Sequence, residues 1–222
     1  SPALIQKRNQ EFNSFITSTM RTPFIIGLYY MEKDFNIVDY VHKAFEGCSL
    51  RKYADVIGCL AMCDEFCCKN FPASLVNSWL EVTMRNDFLR ELPTASSIIV
   101  KERSGIGIDM YHFKHPLLSS EFLQLYCRKY FNDSDNRGSA LYYLTTELIK
   151  KVANMGDNLK EDSLNLISLL MIQNKSGGEG ESSLSMLLEA IGTNVYQRNL
   201  MHCLAETFQP LADEIHNGQR SN

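Results

Sequence analysis

The sequence predicts an all-α fold in which antiparallel helical hairpins stack as an irregular HEAT-like α-solenoid. Three observations predict it. Apolar residues recur at spacings of three and four along nearly the whole chain, the period of a helical stripe. Only 6 of the 222 residues are proline and 12 are glycine, which leaves room for long helices. The segments between stripes are short, and short connections make successive helices antiparallel neighbours. No strict repeat with a period of about 33–47 residues is visible, so any repeat is degenerate.

In chain order, Leu4, Ile5, Phe12, Phe15, Ile16 and Met20 form the first stripe. Thr22-Pro23 ends it, because a residue before proline avoids the α region. A short apolar helix over 24–32 follows. Asn36 is placed to cap a helix carrying Ile37, Val38, Val41, Ala44 and Phe45, with Gly47 at its C′ position. Ser49 is the expected cap of the next helix, with Leu50, Tyr53, Val56, Ile57, Leu60 and Cys63 or Cys67 facing inward. Pro72 opens another at its favoured first turn, burying Leu75, Val76, Trp79, Leu80 and Thr83. A short helix from Asn86-Asp87 to Leu92 stops at Pro93.

Residues 94–115 carry no helical period. Ile98-Ile99-Val100, followed by Ser-Gly-Ile-Gly-Ile, reads as a strand-like loop or a helix end, and the stretch is assigned as irregular. Helices are then expected from Pro116 or Ser119 to Phe131, from Ser139 to Met155 with Gly156 closing it, and over 161–175. The last region splits into 182–191 and 193–217, the latter kinked at Pro210. The domain organisation that follows is a helical body over 1–175, a flexible tether over 176–182, and a C-terminal helical hairpin over 183–222. The tether is Ser-Gly-Gly-Glu-Gly-Glu-Ser, flexible by composition, and the hairpin packs on the body or on a partner.

Charge and hydropathy narrow the function. The 22 basic residues are outnumbered by 26 acidic ones, for a net charge of -4, and they are scattered. A nucleic-acid-binding surface draws most of its affinity from phosphate neutralisation, so this balance gives RNA binding no support. No apolar run reaches the roughly 20 residues that span a bilayer. The opening residues lack a signal-peptide pattern. The expectation is a cytoplasmic or nuclear segment of a longer protein, with no membrane contact.

The constellations that could carry chemistry all have a plainer reading. Of seven cysteines, Cys59, Cys63, Cys67 and Cys68 fall in one expected helix, where they diverge along a face and make poor disulfide partners. Structural zinc needs a second ligand pair that the isolated histidines do not provide, so buried reduced thiols are expected. Asp133-Ser134-Asp135-Asn136-Arg137-Gly138 resembles the start of a calcium loop, but Arg137 and Leu144 occupy positions where acids are required. Gly177-Gly178-Glu179-Gly180 follows no strand and carries acids that repel phosphate; Gly105-Ile106-Gly107 is equally weak. His112 and His115 form the closest histidine pair and read as a surface loop. Two-metal nuclease chemistry needs an Asp-x-Glu on a strand, and the chain has none. No catalytic residue, metal site or cofactor is therefore assigned.

Tyrosines give a different signal. Tyr29, Tyr30, Tyr111, Tyr126, Tyr130, Tyr142 and Tyr143 cannot all face one core, since neighbours on a helix diverge. Exposed tyrosines are enriched where proteins meet. These seven are the candidate partner-binding residues, with half-buried core edges as the competing account. Trp79, the single tryptophan, shares its helix with Leu75, Val76 and Leu80 and is expected in the core.

Within 50–92 the sequence reads Leu50-Arg51-Lys52-Tyr53-Ala54-Asp55-Val56-Ile57, then Leu60 to Phe66, Phe71 to Val76, Trp79-Leu80 and Asn86 to Leu89. This stretch resembles the N-terminal helical-repeat domain of the Nibbler, or Mut-seven, type of 3′→5′ exoribonuclease. In that family a K-Y-x-x-A helix ending in D-x-F precedes a leucine-rich helix. Lys52, Tyr53, Val56, Asp64 and Phe66 stand in comparable places, whereas Trp79-Leu80 replaces the family's Pro-Leu. The resemblance covers about a fifth of the chain and uses motifs common to helical hairpins. It implies a non-catalytic scaffold that recruits a protein partner for a small-RNA-silencing exoribonuclease, in the cytoplasm, perinuclear granules or nucleus. The physical route would be an amphipathic partner helix lying in a groove between helices. Two other roles are compatible with the residues: an RNA module that presents substrate to a nuclease domain elsewhere, and a viral or structural helical assembly protein.

Overall fold

The computed structural model describes residues 36–66, 71–81, 88–105, 107–131, 137–154 and 183–219, together with Gly27. The expected helices before Asn36 and over 161–175, and the 176–182 tether, lie outside these residues. The chain forms two compact units, Ser1–Tyr40 and Val41–Asn222. In the first, the Asn36 side chain accepts the Val38 N–H at 2.9 Å, as a cap should. It opens helix α1, Ile37–Glu46.

The second unit contains a helix buried on nearly every side, α2 (Arg51–Phe66), in which twelve of sixteen residues are buried. Its small residues let neighbours come close. Helix α6 (Arg137–Ala153) meets it at Gly58, where an added Cβ would lie 3.1 Å from the Leu144 side chain. There the Cys59 thiol donates to the Leu144 carbonyl at 3.4 Å. Helix α5 (Pro116–Phe131) covers another side through Leu118, Phe122 and Tyr126, a stripe at four-residue spacing. The buried face of α6 follows the same rule with Leu141, Leu144, Leu148 and Val152, joined by Ala140, Thr145 and Ile149. Helices α7 (Ser183–Ile191) and α8 (Asn194–Gln219) pack on α6, and α7 also reaches α2. The hairpin after the tether is thus seated on the same unit. Gly192, in the left-handed region at φ 71°, ends α7, and the Gln197 side chain ties the turn back to the Leu188 carbonyl at 2.7 Å. Helix α8 continues past Pro210.

A small sheet corrects the all-α expectation. Strand β1 (Phe71–Pro72) leads into helix α3 (Ala73–Leu80), and helix α4 (Phe88–Glu91) and a 3₁₀ turn (Pro93–Ser97) follow. Residues 99–113, assigned above as irregular, form the antiparallel hairpin of β2 (Ile99–Arg103) and β3 (Asp109–Phe113). Ser104 closes it: its N–H donates to the Ile108 carbonyl at 2.7 Å, and its side chain accepts the Ile108 N–H at 3.1 Å. Gly107 supplies the positive φ of 86° that the turn requires. The sheet order is β1-β3-β2, all antiparallel. Among the described residues the order around the sheet is helix, strand, helix, helix, strand, strand, with the first strand beside the third.

Some expected caps work differently. Gly47 does not adopt a positive φ; it is glycine because the Thr94 side chain occupies the space of its Cβ. Pro72 precedes α3 as its N-cap residue, one position earlier than expected, because it also pairs with Met110 in the sheet.

The fit between α6 and α7 is tight enough to test. At Gly138 an added Cβ would overlap the Ile191 carbonyl, a backbone atom with little freedom to yield, whereas nothing surrounds Gly105. Gly138→Ala should cost about 1–3 kcal/mol in urea unfolding, and Gly105→Ala should stay within about 0.5 kcal/mol.

Candidate partner-binding groove

Asp55, only 8% exposed on α2, organises the polar centre of the unit. It accepts the Tyr126 hydroxyl at 2.5 Å and the Tyr143 hydroxyl at 3.3 Å. Arg51, one turn earlier, has its Nε 3.5 Å from Asp55. Its guanidinium lies 5.0 Å from the Tyr130 ring centre and 4.9 Å from that of Tyr143. Helices α2, α5 and α6 each contribute to this cluster. Burial and the bond to Asp55 push the Tyr126 hydroxyl far above the usual tyrosine range, so it stays a donor.

This geometry sorts the seven candidate tyrosines. Tyr111 and Tyr126 are fully buried, which corrects their assignment as exposed residues. Tyr126 falls on the Leu118–Phe122 stripe of α5. Tyr111 faces the core from β3, alternating with His112, and meets Phe88 edge-on at 5.5 Å. Tyr130 is half-buried against Phe45 and Tyr126. Tyr29 and Tyr30 lie outside the described residues. Tyr142 and Tyr143 are both half-buried, and as neighbours on α6 they diverge. Tyr143 turns toward Arg51 and Asp55, while Tyr142 stacks on Tyr196 of α8, with centroids 4.7 Å apart and planes 10° from parallel.

These two tyrosines line one open groove of about 460 Å³ with Phe131, Ser139, Thr146, Glu147, Lys150 and Tyr196. It runs along the outer side of α6, between the end of α5 and the start of α8. Glu147 and Lys150 pair along α6 at 2.9 Å, which holds the Lys150 ammonium protonated above lysine's usual range. The volume lies within the range of small-molecule pockets. Tyr196 was not singled out from sequence. The signal was its position on α8, whose inward residues Leu200 and Leu204 place it at the edge of the packed face.

Other groups described in the sequence have structural roles. Cys48, Cys59, Cys63 and Cys127 are buried, and Cys203 is partly exposed. Trp79 is 7% exposed, in the core, beneath the Lys151 ammonium. His112 pairs with Glu102 across the hairpin at 3.2 Å, while His115 accepts the Leu117 N–H at 3.1 Å and so caps α5. The two histidines therefore serve separate elements. Among the described residues, no group of three His, Cys, Asp or Glu side chains is placed to hold a metal ion, and no helix is long and apolar enough to cross a membrane. No family model, curated protein or solved structure matches the chain.

Two measurements check the buried centre. Tyr126→Phe removes the shortest donor to Asp55 and should cost about 1–3 kcal/mol in urea unfolding; a cost under about 0.5 kcal/mol would mean that Asp55 is satisfied without it. Burial pushes the Cys48 thiol up to about 12 from 9.0. The unfolded chain ionises first, so this contribution is complete below pH 9 and is lost as pH rises toward 12. Cys48→Ala should flatten the alkaline decline of the unfolding midpoint.

Proposed function

We propose that this chain is a non-catalytic protein-interaction domain that engages a partner through the tyrosine-lined groove of α5, α6 and α8. The observation that carries the proposal is the grouping of Phe131, Tyr142, Tyr143 and Tyr196 around one open groove. Large, half-exposed aromatic side chains supply contact area at low entropic cost and dominate many interfaces.

The HEAT-like stacking expected from the sequence enters this proposal in reduced form. The pairs α5–α6 and α7–α8 pack side by side, while α2 touches α5, α6 and α7 at once. The Nibbler-type resemblance would make the partner a factor of small-RNA silencing. However, the sheet begins at Phe71, inside the resembling stretch, and helical repeats do not use one. The groove therefore supports the scaffold role independently of that resemblance.

One observation favours the RNA-handling alternative: the element order, with the first strand beside the third, resembles that of winged helix–turn–helix domains, many of which bind nucleic acid. Its charges argue the other way. On the hairpin Lys101 pairs with Asp109 at 2.9 Å, and Arg103 turns back to the Gly107 carbonyl at 3.0 Å. A fold does not carry a function without the site, and phosphate binding needs unneutralised cations.

The test is affinity capture from lysate with the wild-type chain and the Tyr142→Ala/Tyr196→Ala variant, beside an RNA shift at two salt concentrations. A salt-resistant partner should be weakened about thirtyfold or more by the double substitution, as for paired hot spots, with the fold intact by circular dichroism. A salt-steep RNA shift that ignores both substitutions, with no partner retained, would overturn the proposal.

A further inference from the structure

We infer that the groove receives a cationic side chain, an arginine or lysine presented by a basic peptide segment of the partner. The inference rests on the interaction proposed above and specifies its chemistry.

The molecule already contains the arrangement on a small scale. Arg51 sits against the rings of Tyr130 and Tyr143 with the Asp55 carboxylate beside it. Ring faces carry negative potential, and a carboxylate nearby completes the counter-charge. The groove repeats these components, with Tyr143 common to both: Phe131, Tyr142, Tyr143 and Tyr196 line it together with Glu147. Phe131 and Tyr143 are tilted by 57° at 5.8 Å, so they meet an occupant at an angle to one another and do not close into a flat stack.

Among the described residues, the one cation lining the groove is Lys150, whose side chain is 59% exposed and bonded to Glu147. It reaches the carboxylate from within its own helix, three residues on, and can swing into solvent at small cost. Lys150 therefore acts as a placeholder that an incoming guanidinium or ammonium displaces. The net charge of -4 favours the approach of a basic partner over an acidic one. An acidic anchor would meet Glu147. A purely aliphatic anchor would leave the Glu147 carboxylate facing an apolar group, at the expense of its hydration.

The competing displacement yields a prediction in which two neighbouring substitutions act in opposite directions. Acetylated hexa-arginine, hexa-citrulline and a leucine-rich amphipathic peptide would be titrated into the full chain by NMR at about 0.15 M salt. Hexa-arginine should bind at least about tenfold more tightly than hexa-citrulline, which keeps the shape and loses the charge, and should shift resonances of Tyr142 and Tyr196. Glu147→Gln should weaken it about tenfold or more, and Lys150→Gln should tighten it several-fold by removing the competitor. Lys150 is exposed, and Glu147→Gln keeps the size and shape of a partly exposed side chain, so the fold should survive either change.

If Lys150→Gln weakens binding, or neither substitution alters it, the inference is overturned. If the leucine-rich peptide binds in a Tyr142-dependent way and hexa-arginine does not, the groove remains an interaction site and the cationic specificity fails. If no peptide binds and partner capture is indifferent to Tyr142→Ala/Tyr196→Ala, the interaction proposal fails as well.

Discussion

A helix enclosed on nearly all sides must give its neighbours room and its polar groups partners, and α2 meets both requirements through a few residues. Gly58 admits the α6 side chains, while Ala54 and Ala61 keep other parts of its surface low. The two buried acids need donors from outside the helix, since a carboxylate removed from water is costly unless bonded. Asp55 takes the hydroxyl of Tyr126, and Asp64 takes that of Ser119 at 2.5 Å. Both donors belong to α5. Its position against α2 is therefore fixed twice by hydrogen bonds, at points about two turns apart, as well as by the apolar stripe between them. Through Tyr143, which also donates to Asp55, the same anchoring extends to α6 and hence to the wall of the groove.

Where one side of a helix faces the core, the sequence pattern locates it well. The inward residues of α3, Leu75, Val76, Trp79 and Leu80, follow from spacing alone. The pattern fails where burial is complete. In α2 almost every position is inside, so periodicity cannot mark a face, and Asp55 and Asp64 look like ordinary surface acids until their partners arrive from far along the chain. The hairpin was missed for another reason. Its alternation is interrupted by charged residues on an exposed face, and its first strand partner, Phe71–Pro72, is too short to show any period. Without that strand, Tyr111 reads as one more tyrosine in a loop. The groove was half legible: Tyr142-Tyr143 marked one wall, but the matching wall depends on α8 folding back, which no local signal specifies.

The sheet and the proposed groove lie on different elements of this single unit. The sheet belongs to the segment around α3, where Lys101 pairs with Asp109 and His112 with Glu102. The groove lies on a different set of elements, α5, α6 and α8. Helix α2 is common to both, packing against β3 on one side and α6 on another. The rigid part of the molecule thus carries a surface whose composition can vary without disturbing the sheet.

The order of the sheet has a consequence for solubility. Placing β3 in the middle leaves β1 and β2 as its edges, and an unpaired edge invites a strand from another molecule. The β1 edge is only two residues long and contains Pro72, which has no N–H to offer. The β2 edge is longer, and carries Lys101, Glu102 and Arg103 in succession. A second copy aligning there would bring these charges close to their own counterparts. The charges whose pairing weakens the case for phosphate binding therefore also act as gatekeepers, keeping a β-hairpin in a mostly helical protein from becoming a template for aggregation.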